Sequence, residues 1–193
     1  MSNFQNKKEQ FTNPQKSKLP IFLGIVLVII AVAVIIFISL NKDLDEKDNY
    51  FGEPIVDTRS YIGKLISMTT INPELQEGKV VFPLEEVDNN NILYFELEND
   101  ENVLVPIMAY ITPSGRLFVG SSMCEPCRGR TFSLAGETIV CDTCKTTYNI
   151  ETHEFISGAP ACGKLPPINM NPKVENGNVI IDYNEILNWR IRV

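Results

Sequence analysis

The sequence offers little positive charge to a nucleic acid. Its formal net charge is −7. Residues 1–18 contain four lysines and one glutamate, a net charge of +3, so the rest of the chain carries −10. Binding to nucleic acid needs clustered lysine and arginine side chains that displace counterions from the phosphates. Because no basic stripe with interleaved aromatic residues follows the tail, we exclude nucleic acid as a partner.

The chain also lacks the motifs of common hydrolases and transferases. It has no nucleophile elbow, no phosphate-binding loop and no pair of carboxylates in an informative context, so we do not expect an enzyme. Its single histidine, His153, lies in the polar segment 151–154 without ligand spacing to any cysteine. We interpret this histidine as a solvated turn residue. The absence of a Cys-x2-Cys-His sequence argues against covalent c-type haem.

A long apolar run, residues 19–40, contains no charged residue. As an α-helix rising about 1.5 Å per residue it would span about 33 Å, which matches a hydrocarbon core of about 30 Å. A cleaved signal peptide would have a shorter apolar region that ends at a small-x-small exit site. The only such sequence, Ala31-Val-Ala33, comes too early, because apolar residues continue to Leu40. We therefore predict a single uncleaved transmembrane anchor at residues 19–40.

Lysine residues are unevenly distributed around this run. Four precede it, whereas Lys42 and Lys47 after it are diluted by three aspartates and one glutamate. The positive-inside rule then predicts that residues 1–18 are a basic cytoplasmic tail and that residues 41–193 lie outside the cytoplasm. We expect a single-pass protein of the cell membrane.

The exported part divides into two regions. Residues 41–75 begin as a charged linker with too little apolar content to pack and continue as a poorly defined segment, in which residues 61–68 would allow a short amphipathic helix. Residues 76–193 predict a small, mainly β domain with antiparallel sheets, because short β-rich runs alternate with turn sequences. The predicted strands are 79–84, 92–97, 103–111, 116–119, 130–133 and 138–141, followed by a hairpin at 149–156.

Two segments of this region resemble each other. Residues 78–87, beginning at Gly78, are similar in pattern to residues 177–186, beginning at Gly177. Each pattern predicts a strand that runs directly into one helical turn. A true duplication and a chance resemblance between two strand-plus-turn units explain the similarity equally well.

All five cysteines lie in residues 124–162. The first four, Cys124, Cys127, Cys141 and Cys144, form two Cys-x2-Cys pairs separated by 13 residues. Two residues between thiolates let one tight turn direct both sulfurs at one ion, and a second such turn across a hairpin completes a tetrahedron. A turn at Gly136 would fold the connecting hairpin so that the two cysteine turns meet. This spacing predicts a metal site built from four thiolates.

The identity of the metal stays open from the spacing alone. Four thiolates suit zinc, a single iron or an iron–sulfur cluster. A structural zinc site needs no fifth thiol, whereas an iron centre or a site that exchanges metal could use Cys162 as a ligand. Thiol–disulfide exchange and structural disulfides are the alternatives. We favour a metal over structural disulfides because Cys-x2-Cys pairs would close very small loops and an odd total leaves one thiol unpaired.

These cysteine segments resemble a known family. The sequences Met123-Cys-Glu-Pro-Cys127, Gly136-Glu-Thr-Ile-Val-Cys141-Asp-Thr-Cys144, Tyr148-Asn-Ile and Gly158-Ala-Pro-Ala-Cys162-Gly-Lys-Leu-Pro are similar to the FtrD-like membrane iron–sulfur family. The resemblance covers roughly residues 78–187. Members are bacterial membrane proteins, several of them associated with ferrous-iron uptake, in which a cysteine-rich domain is proposed to hold an iron–sulfur centre. The resemblance implies that all five cysteines, Cys162 included, correspond to the cysteines of the family.

Together these observations lead to one expected function and two alternatives. We expect a membrane-anchored iron–sulfur or other thiolate–metal protein, with an iron–sulfur cluster or a single iron held by the five cysteines. It would serve as a redox accessory to a membrane-embedded metal-transport or redox partner, with ferrous iron as the metal transported. The first alternative is a zinc- or copper-binding module for protein docking or metal delivery, and the second is a thiol–disulfide redox protein.

Overall fold

The structure is a computed structural model, and it describes residues 29–36 and 51–192. By residue contacts the chain divides into two compact units, residues 1–46 and residues 47–193. Residues 29–36 of the first unit are helical. Within the described residues, no helix is long and apolar enough to cross a membrane. Most of the expected anchor and the whole basic tail lie outside the described residues, so the anchor stays a prediction.

The second unit is mainly β, as the sequence predicts. Its strands form three sheets in the orders β1-β8-β9-β10-β11, β12-β13-β4-β3 and β2-β5-β6-β7, and every pairing is antiparallel except the parallel pair β2–β5. The strands are β1 (Leu65–Ser67), β2 (Thr69–Thr70), β3 (Glu74–Gln76), β4 (Lys79–Pro83), β5 (Ile92–Glu98), β6 (Leu104–Ile111), β7 (Leu117–Ser121), β8 (Phe132–Ala135), β9 (Thr138–Cys141), β10 (Thr147–Asn149), β11 (Phe155–Ser157), β12 (Lys173–Glu175) and β13 (Asn178–Asp182). Three short helices, α1 (Leu84–Asn90), α2 (Pro160–Gly163) and α3 (Tyr183–Leu187), complete it.

Strand β6 lies at the centre of this unit and is buried on both faces. Successive side chains of a strand point to opposite sides of its sheet. Ile107 and Ala109 therefore join one apolar cluster, whereas Met108 and Tyr110 join another. A strand covered on both faces has no reason to alternate polar and apolar residues. This explains the continuous apolar run that the sequence shows here.

The two similar segments of the sequence adopt the same structure. Each is a hairpin whose second strand runs into a helix: β3–β4–α1 in one and β12–β13–α3 in the other. Strands β4 and β13 pair antiparallel, with Val81 opposite Ile180. Reciprocal hydrogen bonds join the units, since Leu84 N–H donates to the Gly177 carbonyl (3.0 Å) and Tyr183 N–H donates to the Gly78 carbonyl (2.9 Å). The prediction of two strand-plus-helical-turn units is confirmed.

The suggestion of a helix at residues 61–68 is wrong. Leu65–Ser67 instead forms β1, an edge strand in which Ile66 pairs with Leu134 of β8. The Tyr61 hydroxyl donates to the buried carbonyl of Ile111 (2.7 Å), and Gly63 turns the chain at a φ of +73°. These long-range contacts outweigh the helical spacing of the apolar residues.

Candidate metal centre

Two tight turns carry the first four cysteines, and we call each turn a knuckle. The first knuckle, Cys124–Cys127, lies between β7 and β8, and the second, Cys141–Cys144, begins at the last residue of β9. Backbone hydrogen bonds close both turns: Cys124 N–H donates to the Gly129 carbonyl (2.8 Å), and Lys145 N–H donates to the Cys141 carbonyl (2.9 Å). The backbone thus fixes the direction of each pair of thiols.

The β8–β9 hairpin brings the two knuckles together, as the spacing predicts. Cys124 Sγ lies 3.7 Å from Cys144 Sγ, and Cys127 Sγ lies 3.8 Å from Cys141 Sγ. All four sulfurs lie within 4.8 Å of one another. Cys124 and Cys141 are buried, whereas Cys127 and Cys144 are partly exposed. All five cysteines of the chain are free thiols in the structure.

The environment does not favour four thiolates without a cation. Burial raises the pKa of Cys124, and burial likewise raises the pKa of Cys141 to about 12. Burial also acts to raise the pKa of Cys144, but hydrogen bonds from Thr146 outweigh it and lower that pKa to about 6. Because the thiolate is the form that binds metal, a cation among the sulfurs would supply the charge that this crowded site lacks.

Gly129 allows the two knuckles to lie close together. A Cβ atom on Gly129 would lie 2.8 Å from Cys141 Sγ and 2.8 Å from Thr143 Oγ1. Real Cβ atoms do not approach other atoms this closely, so only glycine allows the first knuckle to pack directly on the second. Gly129 N–H also lies 3.4 Å from Cys127 Sγ and donates a hydrogen bond to it.

Cys162 lies beside the four-sulfur group. Its Sγ is 3.8 Å from Cys144 Sγ, although it is not one of the four that all lie within 4.8 Å of one another. The loop that presents it packs against Thr146: a Cβ on Gly158 would lie 2.5 Å from Thr146 Cα, and Ala159 N–H donates to Thr146 Oγ1 (3.2 Å). The Tyr148 hydroxyl donates to the Cys162 carbonyl (2.7 Å). The structure thus holds the fifth thiol at the edge of the site.

The interpretation of His153 as a solvated turn residue is wrong. Its side chain is buried among aromatic rings, including Phe51 and Phe118. Its Nδ1 lies 3.2 Å from the Pro167 carbonyl, which can only accept a hydrogen bond, and its Nε2 lies 2.6 Å from the Tyr110 hydroxyl. Burial lowers the pKa of His153 to about 3. The ring is therefore neutral, with Nδ1–H donating, and belongs to the core rather than to the cysteine group.

Sequence reasoning missed two residues that support the knuckles. Glu125 is 1% exposed, and its carboxylate accepts hydrogen bonds from the backbone N–H and the Nε–H of Arg192. Arg192 also donates to the Pro166 carbonyl (2.8 Å), so it joins the first knuckle to the segment after Cys162. The two residues are 67 positions apart, and no sequence signal links them. The acidic residue between Cys124 and Cys127 was the one available hint.

The four cysteine thiolates suit the metals that the cysteine spacing predicts. Thiolates are soft ligands that select zinc, copper(I), iron and iron–sulfur centres over magnesium or calcium. Among the described residues, Cys124, Cys127, Cys141 and Cys144 are the group of ligand side chains close enough to share one ion. The residues present therefore fit a thiolate-held iron centre.

Comparison with known proteins gives one match. A family model described as "Membrane iron-sulfur containing protein FtrD-like" matches residues 87–192, which is more than half of the chain and includes all five cysteines. No curated protein and no solved structure matches the chain.

Proposed function

Because the chain belongs to the FtrD-like family of membrane iron–sulfur-containing proteins, we propose that it is a redox accessory to metal transport. Its cysteine-rich unit would hold iron with thiolates and exchange electrons with a membrane-embedded partner that transports ferrous iron. The observation that carries the proposal is the convergence of four cysteine sulfurs within 4.8 Å of one another. The proposed role is electron transfer rather than catalysis of a bond-making reaction.

The residues around the sulfurs suit this role. When bound, iron supplies a centre that accepts and donates single electrons. Burial of Cys124 and Cys141 keeps water from half of the site, whereas the partly exposed Cys127 and Cys144 bring the other half to the surface. Hydrogen bonds to the sulfurs, such as the one from Gly129 N–H to Cys127 Sγ, stabilise the thiolates and so help to set the reduction potential.

We propose that Cys162 is a fifth or substituting ligand. Its Sγ lies 3.8 Å from Cys144 Sγ, close to the distances of the pairs Cys124–Cys144 (3.7 Å) and Cys127–Cys141 (3.8 Å). Thr146 joins Cys144 to the loop that carries Cys162, because its hydroxyl lies 3.1 Å from Cys144 Sγ and accepts a hydrogen bond from Ala159 N–H. Exchange of Cys144 for Cys162 as a ligand would leave the two knuckles joined by the β8–β9 hairpin.

The partner would meet the metal centre at a basic surface, which we call the basic rim: the exposed side chains of Arg128, Lys145 and Lys164. These follow Cys127, Cys144 and Cys162 by one or two positions. Arg128 and Lys145 both have a φ of 60°, a conformation that glycine adopts at lower cost. Positive charge at two such positions, in a chain of net charge −7, favours a partner with an acidic surface.

The proposed location follows from the sequence. Residues 19–40 would anchor the protein in the cell membrane, with residues 1–18 in the cytoplasm and the metal centre outside it. The anchor would hold the centre at the membrane surface, close to a transport protein in the same bilayer. A reporter fused after Val193 should then be active only outside the cytoplasm, and protection of the domain from protease added to intact protoplasts would contradict this topology.

A zinc site is the second candidate. The sulfur distances of 3.7 and 3.8 Å agree with the edge of about 3.8 Å that four ligands at about 2.3 Å from a zinc ion would form. In that case the knuckles would stabilise a docking or metal-delivery module without redox activity. Zinc would not explain the position of the fifth thiol, since a structural zinc site is complete with four ligands.

Metal analysis with a visible spectrum distinguishes these candidates. The full chain would be purified anaerobically in detergent, and its iron, zinc and copper contents would be measured beside the spectrum. We expect iron and a coloured protein, because iron–thiolate centres absorb visible light. A colourless protein that contains zinc would overturn the redox proposal, and metal-free protein whose thiols react without metal release would indicate thiol–disulfide chemistry.

A further inference from the structure

We propose that the four thiolates of the knuckles enclose a single metal ion and cannot accommodate a sulfide-bridged cluster. The inference rests on the proposed function, because it concerns how many irons the centre holds. It follows from the size of the sulfur cage and from the packing that prevents the cage from widening.

Two sulfur–sulfur distances define the size of the cage. The Cys124–Cys144 distance is 3.7 Å and the Cys127–Cys141 distance is 3.8 Å. These pairs share no atom, so they are opposite edges of a tetrahedron. Four thiolates at about 2.3 Å from one ion stand about 3.8 Å apart along each edge. Both measured sulfur–sulfur distances therefore agree with the edge expected for four thiolates around a single ion.

A bridged cluster requires a wider arrangement. Its thiolates bind different irons, which inorganic sulfides hold apart. Each of the two edges could in principle serve one iron of a pair, since both have the length expected for ligands of one ion. In such a cluster the distance between the two irons would move the Cys124–Cys144 pair farther from the Cys127–Cys141 pair than a single ion requires. Instead, every sulfur of the group lies within 4.8 Å of every other.

Close packing prevents the knuckles from moving apart to admit more atoms. Gly129 lies directly against Cys141 and Thr143. The hairpin that joins the knuckles is paired along its length, from Ala135 opposite Thr138 to Phe132 opposite Cys141. Separation of the knuckles would therefore break strand pairing as well as the glycine contact.

The fifth thiol closes another side of the cage. Cys162 Sγ lies 3.8 Å from Cys144 Sγ, against the edge that Cys144 forms with Cys124. Cys162 is buried, and its carbonyl is held by the Tyr148 hydroxyl at 2.7 Å. Expansion past this edge would have to displace a buried and hydrogen-bonded loop.

Counting iron and acid-labile sulfide in the anaerobically purified full chain tests the inference. We expect about one metal ion per chain and no acid-labile sulfide, with the electron paramagnetic resonance signal of an isolated high-spin ferric ion after oxidation with ferricyanide. Two or four irons with a matching amount of sulfide would overturn the single-ion inference and leave the proposed redox function standing. One zinc ion without iron would support the single-ion cage and overturn the redox function instead.

Reconstitution supplies a second measurement that needs no variant. Protein that is stripped of metal, given ferrous iron under reducing conditions and then oxidised with ferricyanide should regain the spectrum of the oxidised native protein without added sulfide. A requirement for sulfide would contradict the inference. Phe82→Ala is the control variant, because Phe82 lies in the apolar cluster that contains no cysteine and the change keeps all five thiols. It should retain about one ion per chain when folded.

Discussion

The two faces of the central sheet β2-β5-β6-β7 support different kinds of core. One face packs on the sheet β12-β13-β4-β3 in a cluster of aliphatic and aromatic residues that includes Val80, Phe82 and Ile181. The other face packs on the five-stranded sheet in a cluster that contains three tyrosines, three buried cysteines and, beside its aromatic rings, His153. We call them the apolar half and the cysteine half. Among the described residues, the group of side chains that could hold a metal ion lies in the cysteine half.

This difference indicates which half has a stability that depends on bound metal and on pH. The apolar half is stabilised by burial of hydrocarbon, which does not change with metal or with proton concentration. The cysteine half contains thiols that bind metal only when deprotonated and a histidine that must stay neutral. Loss of metal or addition of acid should therefore act on the cysteine half first.

The largest expected effect is the loss of a metal ligand. Binding at a four-thiolate site can contribute on the order of 10 kcal/mol, which is comparable with the whole stability of a small domain. Cys141→Ser should therefore release the metal and unfold or strongly destabilise residues 121–167. Metal analysis and thermal unfolding followed by circular dichroism would measure this. A variant that keeps both its metal and its melting temperature would show that the knuckles are not the site.

A cavity in the apolar half should cost less and spare the metal. Phe82 is 2% exposed and contacts the ring of Phe95, with centroids 5.5 Å apart. Phe82→Ala should reduce the free energy of unfolding by about 3 to 5 kcal/mol, while the metal content and visible spectrum of the folded protein stay unchanged. Release of metal from folded Phe82→Ala protein would show that the two halves are not separable.

Mild acid should destabilise the cysteine half through His153. Burial lowers the pKa of His153 to about 3 in the folded protein, whereas an exposed histidine has a pKa of about 6.5. The neutral ring contributes its full stability above about pH 6.5, and that contribution falls as the pH drops toward 3, because the unfolded chain binds the proton first. Between pH 6.5 and pH 5 the loss is about 2 kcal/mol.

His153→Asn isolates this contribution. Asparagine tolerates the φ of 56° at this position and does not titrate, so the free energy of unfolding of the variant should fall less steeply between pH 6.5 and pH 5. Metal loss at low pH affects both proteins, and the difference between their slopes belongs to the histidine. Equal slopes would mean that His153 is not buried in its neutral form.

The smallest expected effect on stability comes from Cys162→Ala. The knuckles still close the hairpin without this thiol, so the free energy of unfolding should fall by only about 1 kcal/mol. The visible spectrum or the reduction potential should nevertheless shift, because ligand identity and the surroundings of the sulfurs set both. An unaltered spectrum, potential and metal content would reduce Cys162 to a small buried residue without a role in the centre.

The parts that were predictable from the sequence depend on local spacing. The knuckles, the β8–β9 hairpin and the two strand-plus-helix units follow from residues close together in the chain. The errors arise where distant residues decide. The neutral state of His153 depends on its burial against the rings of Phe51 and Phe118, and β1 exists because residues about 70 positions later pair with it. The contact of Arg192 with Glu125 has the same origin, since charge pairs across folded segments leave no periodic signal.

A redox titration of the purified full chain tests the central claim most directly. The anaerobic protein would be reduced and reoxidised in steps while its visible absorption is recorded against the solution potential. We predict that the thiolate-to-iron absorption disappears on reduction and returns on oxidation, with a one-electron transition that shifts in Cys162→Ala. A spectrum that does not change with potential, or that is lost irreversibly as metal is released, would contradict a role in electron transfer.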